Sequence, residues 1–272
     1  MRITYLGPDG SFSHDAAINY GDKHSIYFPV SGFNEVVDMV VRGKADIGVL
    51  PLENSTEGVV TPVIDLLYES REVNIIAEIV RPIVHGIYSI TGLKEDVQYI
   101  YSNAQPLEQC RNSLRELFPL AQLVSCESTA KACLIAKEKG KEYAAVANIN
   151  AARVYGLLPI MTEIQDNEKN ATRFVIISKE LSEYTGNDRT SIAFTFSGDS
   201  PGNLFKVLKT FAEANINLSR IESRPIKEEL GKYIFYVDFI GHINGPGMEG
   251  VIDNIRNLVT KLRVLGSYPI GN

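Results

Sequence analysis

Val73-Asn74-Ile75-Ile76-Ala77-Glu78-Ile79-Val80-Arg81-Pro82-Ile83-Val84-His85-Gly86-Ile87-Tyr88-Ser89-Ile90 is β-branched and apolar nearly from end to end. An ordinary strand holds roughly 3–10 residues, so this run is too long for one. Pro82 cannot donate to a ladder and marks an interruption. The stretch therefore reads as the place where the chain leaves one sheet and enters another. A second extended run, residues 158–164, is the candidate for the return.

Around this crossing, short β-rich runs alternate with helical patterns, the signature of strands joined by crossover helices. Residues 3–6, 26–30, 45–50, 99–101, 123–126 and 144–147 read as strands. Between them Phe33, Val36, Val37, Val40 and Val41 recur at helical spacing, as do Leu107, Cys110, Leu114 and Leu117. The expectation is an α/β fold of two lobes joined by two crossing strands with a cleft between, an arrangement that resembles periplasmic binding proteins.

After Phe174-Val175-Ile176-Ile177 the chain turns polar and loses periodicity, so residues 180–189 are read as a linker between domains at 1–179 and 190–272. The tail predicts strand 191–196, helix 203–214, strands 216–221 and 233–240, helix 248–262 and strand 264–268. That βαββαβ order is ferredoxin-like. Its first helix is expected to start with Ser200 as N-cap and Pro201 at the first helical position, with Leu204, Val207, Leu208 and Phe211 on its apolar face.

Composition narrows the function. The 272 residues carry 27 Lys and Arg against 33 Asp and Glu, a net charge of −6 with no basic stripe, which argues against nucleic acid. Met1-Arg2-Ile3-Thr4-Tyr5-Leu6-Gly7 is a short strand, not a signal-peptide core, so a cytoplasmic protein is expected. No apolar run approaches the roughly 20 residues of a membrane helix. Cys110, Cys126 and Cys133 are scattered, and His14, His24, His85 and His242 lie far apart, so neither a disulfide framework nor a metal site is expected.

Four segments carry hydroxyl and amide side chains just after a strand: Ser11-Phe12-Ser13, Asn54-Ser55-Thr56, Ser102-Asn103 and Ser128-Thr129. Each reads in two ways, as an N-cap worth about 1 kcal/mol or as a helix start presenting N–H groups to a small anion. Spacing alone leaves both open.

Gly7-Pro8-Asp9-Gly10-Ser11-Phe12-Ser13-His14, Pro51-Leu52-Glu53-Asn54-Ser55-Thr56-Glu57-Gly58 and Asn170-Ala171-Thr172-Arg173-Phe174 stand in the order and separation found in prephenate dehydratases. Ser128-Thr129-Ala130 and Tyr155-Gly156-Leu157 match as well. The chain thus resembles that family over the whole of residues 1–179. In one segment it departs: where the family commonly has Ser-His-Pro-Gln, this chain has Ser102-Asn103-Ala104-Gln105, and the imidazole is absent.

The resemblance implies loss of carbon dioxide and the ring hydroxyl from prephenate to give phenylpyruvate, a carbon–oxygen lyase reaction of phenylalanine biosynthesis needing no cofactor and no metal. It puts the essential hydroxyl at Thr172 and substrate contacts at Asn54, Ser55, Thr56, Ser102, Gln105, Ser128, Thr129, Arg173 and Phe174. Strand alternation sets Thr172 and Phe174 on one face and Arg173 on the other, so Arg173 reads either as a carboxylate clamp or as a salt bridge orienting the strand. Glu53 and Glu57 would repel a dianion and are read as supports for neighbouring donors. His14 reads either as positive charge near the cleft or as a hydrogen-bonded structural residue.

In the tail, Gly202-Asn203-Leu204 and Glu222-Ser223-Arg224-Pro225 resemble the two ligand motifs of the ACT domain. The family's first motif usually has Ala where Asn203 stands. The resemblance implies phenylalanine as allosteric effector and a homodimer or homotetramer through paired ACT domains. Two alternatives remain: arogenate dehydratase, with the same chemistry on the amino analogue, and a non-catalytic bilobal protein that binds a small anion. Leu6-Gly7-Pro8-Asp9-Gly10 is no Gly-x-Gly-x-x-Gly, which argues against a prephenate dehydrogenase. No helical segment precedes the first strand, so no fused chorismate mutase is expected.

Overall fold

The structure, a computed structural model, describes residues 1–167, 169–198, 200–226 and 232–271. Its first elements are β1 (Arg2–Leu6), α1 (Phe12–Tyr20), β2 (Ile26–Val30), α2 (Phe33–Val41), β3 (Ile47–Asn54), β4 (Gly58–Val59), α3 (Thr61–Glu69) and β5 (Asn74–Pro82). Then come β6 (Gly86–Ser89), β7 (Tyr99–Ser102), α4 (Ala104–Gln109), α5 (Arg111–Leu117), β8 (Gln122–Ser125), α6 (Thr129–Lys139), β9 (Tyr143–Ala147), α7 (Ile149–Tyr155), β10 (Leu158–Met161) and β11 (Ala171–Ser178). The tail holds β12 (Asp188–Thr195), α8 (Asn203–Glu213), β13 (Leu218–Pro225), β14 (Tyr233–Ile240), α9 (Met248–Leu258) and β15 (Lys261–Pro269).

Three sheets result. A six-stranded sheet runs β2-β1-β3-β11-β5 with β4 paired to β3; a five-stranded sheet runs β10-β6-β9-β7-β8; a four-stranded sheet runs β13-β14-β12-β15. The long apolar stretch does divide as its sequence demands. β5 ends at Pro82 in the first sheet and β6 begins at Gly86 in the second. The run 158–164 is not the return: β10 stays in the second sheet, antiparallel to β6, and β11 is the strand that brings the chain back to the first. The α/β, two-lobed expectation and the ferredoxin-like tail both hold.

By its internal contacts the chain forms two compact units, Met1–Val36 with Val49–Val60 and Val80–Phe174, and Val37–Gly48 with Thr61–Ile79 and Val175–Asn272. In the first, α6 lies on β9 through small side chains, Ala132, Cys133 and Ala136 against Ala145 and Ala147, which lets helix and sheet approach closely. Ile87, Ile100, Leu114, Val146 and Ile164 fill a second cluster. In the second unit, Phe194, Phe211, Val237, Phe239, Ile252 and Ile255 form the core of the tail. Its strand β15 also holds α3: the Arg263 guanidinium donates to the carbonyls of Tyr68, at 2.8 Å, and Ser70.

Four local expectations are corrected. Asn54-Ser55-Thr56 opens no helix; it closes a tight turn between β3 and β4, because the Asn54 Oδ1 accepts the N–H groups of Thr56 and Glu57 at 2.9 and 3.1 Å. The helix read through Leu107 to Leu117 breaks at Cys110, whose backbone leaves the helical region at φ −117°, ψ 17°. The last helix stops at Leu258, not 262: Val259 is extended, and the Thr260 N–H donates to Thr195 O, starting the β15 ladder. Ser200 is not the N-cap of α8. Gly202 takes that place at φ 88°, a left-handed conformation that other residues adopt at a cost.

Candidate active site

Thr172 sits at the start of β11, where the strand enters its sheet beside β3. Its hydroxyl accepts a hydrogen bond from Asn54 Nδ2 at 2.9 Å, and the other proton of that amide goes to Asn170 Oδ1 at 3.0 Å. Asn54 Oδ1 is in turn fixed by the two turn N–H groups, so the orientation of its amide is fully determined. Thr172 Oγ1 makes no other hydrogen bond among the described residues, which leaves its own proton as a donor. Thr172 is 7% exposed, and with Asn54 and Phe174 it lines a cavity of about 280 Å³ in the first unit.

The cavity's other walls come from helix starts. Ser11 caps α1, its hydroxyl accepting the His14 N–H at 3.2 Å and donating to Leu6 O at 3.1 Å. Asn103 caps α4 through the Gln105 N–H at 3.2 Å, and Ser128 caps α6 through the Lys131 N–H at 3.0 Å. Ser11, Ser13, Asn103, Gln105, Ser128 and Thr129 all line the space. Neither Lys nor Arg is among its described lining residues, and the one carboxylate is Glu127. An anion here would be held by helix N-termini and neutral donors. The N-cap reading and the anion reading thus describe the same residues.

Not every expected contact lines this cavity. Ser102 is fully buried and its hydroxyl donates to Val146 O at 2.7 Å, bracing β7 on β9. Ser55 Oγ accepts the Ala171 N–H at 3.0 Å and donates to Lys169 O at 3.3 Å, and Thr56 Oγ1 donates to Asn170 Oδ1 at 3.3 Å. These two hydroxyls tie the β3–β4 turn to the segment before Thr172. Arg173 points away from Thr172 and Phe174, as alternation requires, and pairs with Glu53 at 3.0 Å. His14 is outside the lining too. Its Nδ1 accepts the Gly10 N–H at 2.8 Å, its ring stacks on Tyr5 at 4.7 Å, and burial holds its pKa below the ordinary value.

Sequence reasoning missed two polar residues of the cavity, His85 and Gln109. Both had a signal. Gln109 lies one helical turn beyond Gln105 on α4 and shares its face. His85 is two residues from Ile83, another lining residue, and extended chain alternates its sides.

In the second unit a cavity of about 350 Å³ lies over the start of α8, lined by Gly202, Asn203 and Leu204 with Phe196, Tyr233 and Phe235. The other expected motif lies elsewhere on the sheet. Arg224 on β13 donates from Nη2 to Asp65 Oδ2 at 3.0 Å, Tyr236 donates to Asp65 Oδ1 at 3.3 Å, and Asp65 belongs to α3. Arg224 Nε is buried without a partner among the described residues.

Comparison with known proteins connects these features. Residues 3–182 match the family described as prephenate dehydratase, and residues 191–257 match the ACT domain. The chain belongs to the prephenate dehydratase family. It is 40% identical over 269 residues to a bifunctional chorismate mutase/prephenate dehydratase of Aquifex aeolicus, covering 99% of this chain and 74% of that one. Among solved structures it resembles a prephenate dehydratase from Arthrobacter aurescens in complex with L-Phe, at 32% identity and a TM-score of 0.90, covering 99% of this chain and 90% of the other. A structure described as GqqA, a novel type of quorum quenching acylase, is similar too, at 27% identity and a TM-score of 0.90, covering 100% of this chain and 98% of that one. Within the prephenate dehydratase family, then, this chain pairs a cavity of neutral donors with a C-terminal ACT domain. None of its described helices is long and apolar enough to cross a membrane.

Proposed function

We propose that the chain converts prephenate to phenylpyruvate, carbon dioxide and water, and that phenylalanine acts on it through the ACT domain. One observation carries the catalytic half: Asn54 donates to the Thr172 hydroxyl, so the Thr172 proton is free to be donated into the cavity. In the reaction the bond from the ring to its carboxylate breaks, and its electron pair enters the ring as carbon dioxide leaves. The ring hydroxyl departs from the opposite carbon and, with one proton from solvent, becomes water. Thr172 donates a hydrogen bond to the departing oxygen, where negative charge develops. Threonine does not titrate near neutrality, so it polarises the bond or relays a proton instead of acting as a tuned acid.

The dianion is met by Thr172, Gln105, Ser128 and Thr129, with Asn54 as the group that aims Thr172. Phe174 is a wall of the cavity. Ser55, Ser102 and Arg173 act through the backbone and carboxylate partners described above, and Thr56 through the Asn170 amide oxygen. Residues 1–179 form the catalytic domain, and the linker expected at 180–189 ends where β12 opens the regulatory domain at Asp188. Phenylalanine binds between paired ACT domains, at the recess of Gly202, Asn203 and Leu204 on one and the Glu222, Ser223, Arg224 and Pro225 motif on the other, and that pairing makes the enzyme a homodimer or homotetramer.

The deciding experiment offers purified protein prephenate and arogenate separately and in competition, following phenylpyruvate and phenylalanine, with and without added phenylalanine. Prephenate turnover that responds to added phenylalanine supports the reading. Preference for arogenate transfers the same chemistry to the amino analogue. Binding of either compound without turnover would leave a small-anion receptor and reject the enzyme.

A further inference from the structure

The two residues that complete the cavity, His85 and Gln109, are bonded to each other and each keeps a buried polar atom unpaired. His85 Nε2 lies 3.0 Å from Gln109 Oε1, while His85 Nδ1 and Gln109 Nε2 have no partner among the described residues. Unpaired buried polar groups cost free energy, so two together in a cavity wall mark a place completed by a ligand.

The pair is held in register by one short stretch of chain. The Ile164 N–H donates to His85 O at 2.9 Å, the His85 N–H to Gln165 Oε1 at 3.1 Å, and the Asp166 N–H to Gln109 O at 2.7 Å. Phe12 meets the imidazole edge-on at 5.5 Å. His85 is 1% exposed, and burial lowers its pKa, so the ring is neutral near pH 7 and carries a single proton. The Gln109 carbonyl oxygen accepts that proton's hydrogen bond, which puts it on Nε2. The Gln109 NH₂ then remains as a donor. Were the amide rotated, its oxygen would take the place of that donor at a site meant for a dianion.

We propose that His85 is a positioning residue for Gln109: its Nε2–H holds the Gln109 carbonyl oxygen and so reserves the Gln109 amide protons for the substrate. The inference rests on the prephenate reading for the identity of that substrate, while the pairing itself is a property of the free protein.

Two replacements separate this role from a structural one. Glutamine can set an amide nitrogen where ring Nε2 was, whereas asparagine reaches only the position of Nδ1. His85→Gln is expected to keep most of kcat/KM, and His85→Asn to lose about 10- to 100-fold, the size of a misplaced reacting or binding group. In a Gln109→Ala background His85→Asn should add no further loss, because the two act as one unit. Equal damage from both His85 replacements, or losses that add in the double variant, would overturn the proposal. The imidazole ¹⁵N spectrum of the free wild-type protein gives a reading independent of turnover and of variant folding. An Nε2–H tautomer is expected, and an Nδ1–H tautomer overturns the pairing. Wild-type protein inert toward prephenate removes the proposed function, while the spectrum still decides the pairing.

Discussion

Asn54 donates one amide proton to Asn170 and the other to Thr172, and both lone-pair directions of its oxygen are taken by the turn. Aspartate in its place would keep the turn, since a carboxylate accepts the same N–H groups, but would turn the Thr172 hydroxyl around to donate to the new oxygen. Asn54→Asp is therefore expected to lower kcat as far as Thr172→Ala does, about 10²–10³-fold for the loss of one aimed donor. Thr172→Ala should stay folded, with its thermal unfolding midpoint lowered by a few degrees, because the buried Asn54 amide loses an acceptor. Thr172→Ser should retain part of the activity, because the hydroxyl survives but loses the β-branch that restricts its rotamer. Steady-state rates with prephenate check all three. An active Asn54→Asp enzyme would mean that the Thr172 proton does not act on the substrate. Thr172 and Asn54 were legible because each stands in a distinctive motif. Ser55, Thr56 and Ser102 stand in the same segments, but motif membership carries no direction. Whether a hydroxyl faces a cavity or a carbonyl is fixed by neighbours such as Val146 and Ala171, remote in sequence.

At the level of elements, α3 begins at Thr61, after β4, and its Asp65 takes both Arg224 and Tyr236 from the ACT sheet within the second unit. Asp65 lies outside any effector motif. Asp65→Asn is nevertheless expected to blunt the effect of phenylalanine on rate as strongly as Arg224→Gln does. It should leave turnover without phenylalanine close to wild type and lower stability by about 1–2 kcal/mol, as for a partly exposed charged hydrogen bond. Rate against phenylalanine concentration, with calorimetric binding beside it, tests this; an unchanged response would place the coupling elsewhere. Element type was mostly legible from periodicity, as in α2 and β14, and element ends were less so. Cys110 is apolar at the right helical spacing, so the pattern runs straight through the break that its backbone makes. The residues after Leu258 suit helix and strand alike. Pairing with Thr195 decides for the strand, and that contact joins residues far apart in the chain.

At the scale of the whole molecule, two histidines and three cysteines stay neutral near pH 7 because they are buried or half-buried, and they give its stability a dependence on pH. Burial lowers the pKa of His14 and His85, so as pH falls below about 6.5 the unfolded chain takes up protons that the folded rings refuse. Stability therefore falls on acidification through that window, and it is fully recovered above it. The thiols act on the other side. Burial pushes Cys110 and Cys133 up to about 12 and raises Cys126, so above about pH 8.5 the unfolded chain loses protons that the folded thiols keep. Stability is full below that point and declines as pH rises. Urea unfolding under reducing conditions, from pH 5.5 to 9.5, is expected to show a plateau near pH 7–8 with a fall on each side. Cys133 packs among Ala132, Ala136 and Ala145, so Cys133→Ala is a small change of volume. It should make the alkaline slope shallower by up to one proton and leave the acid slope alone. His14→Gln with His85→Gln should do the reverse. Slopes that stay the same in either variant would mean that these groups ionise as freely in the folded protein as in the unfolded one, contrary to their burial.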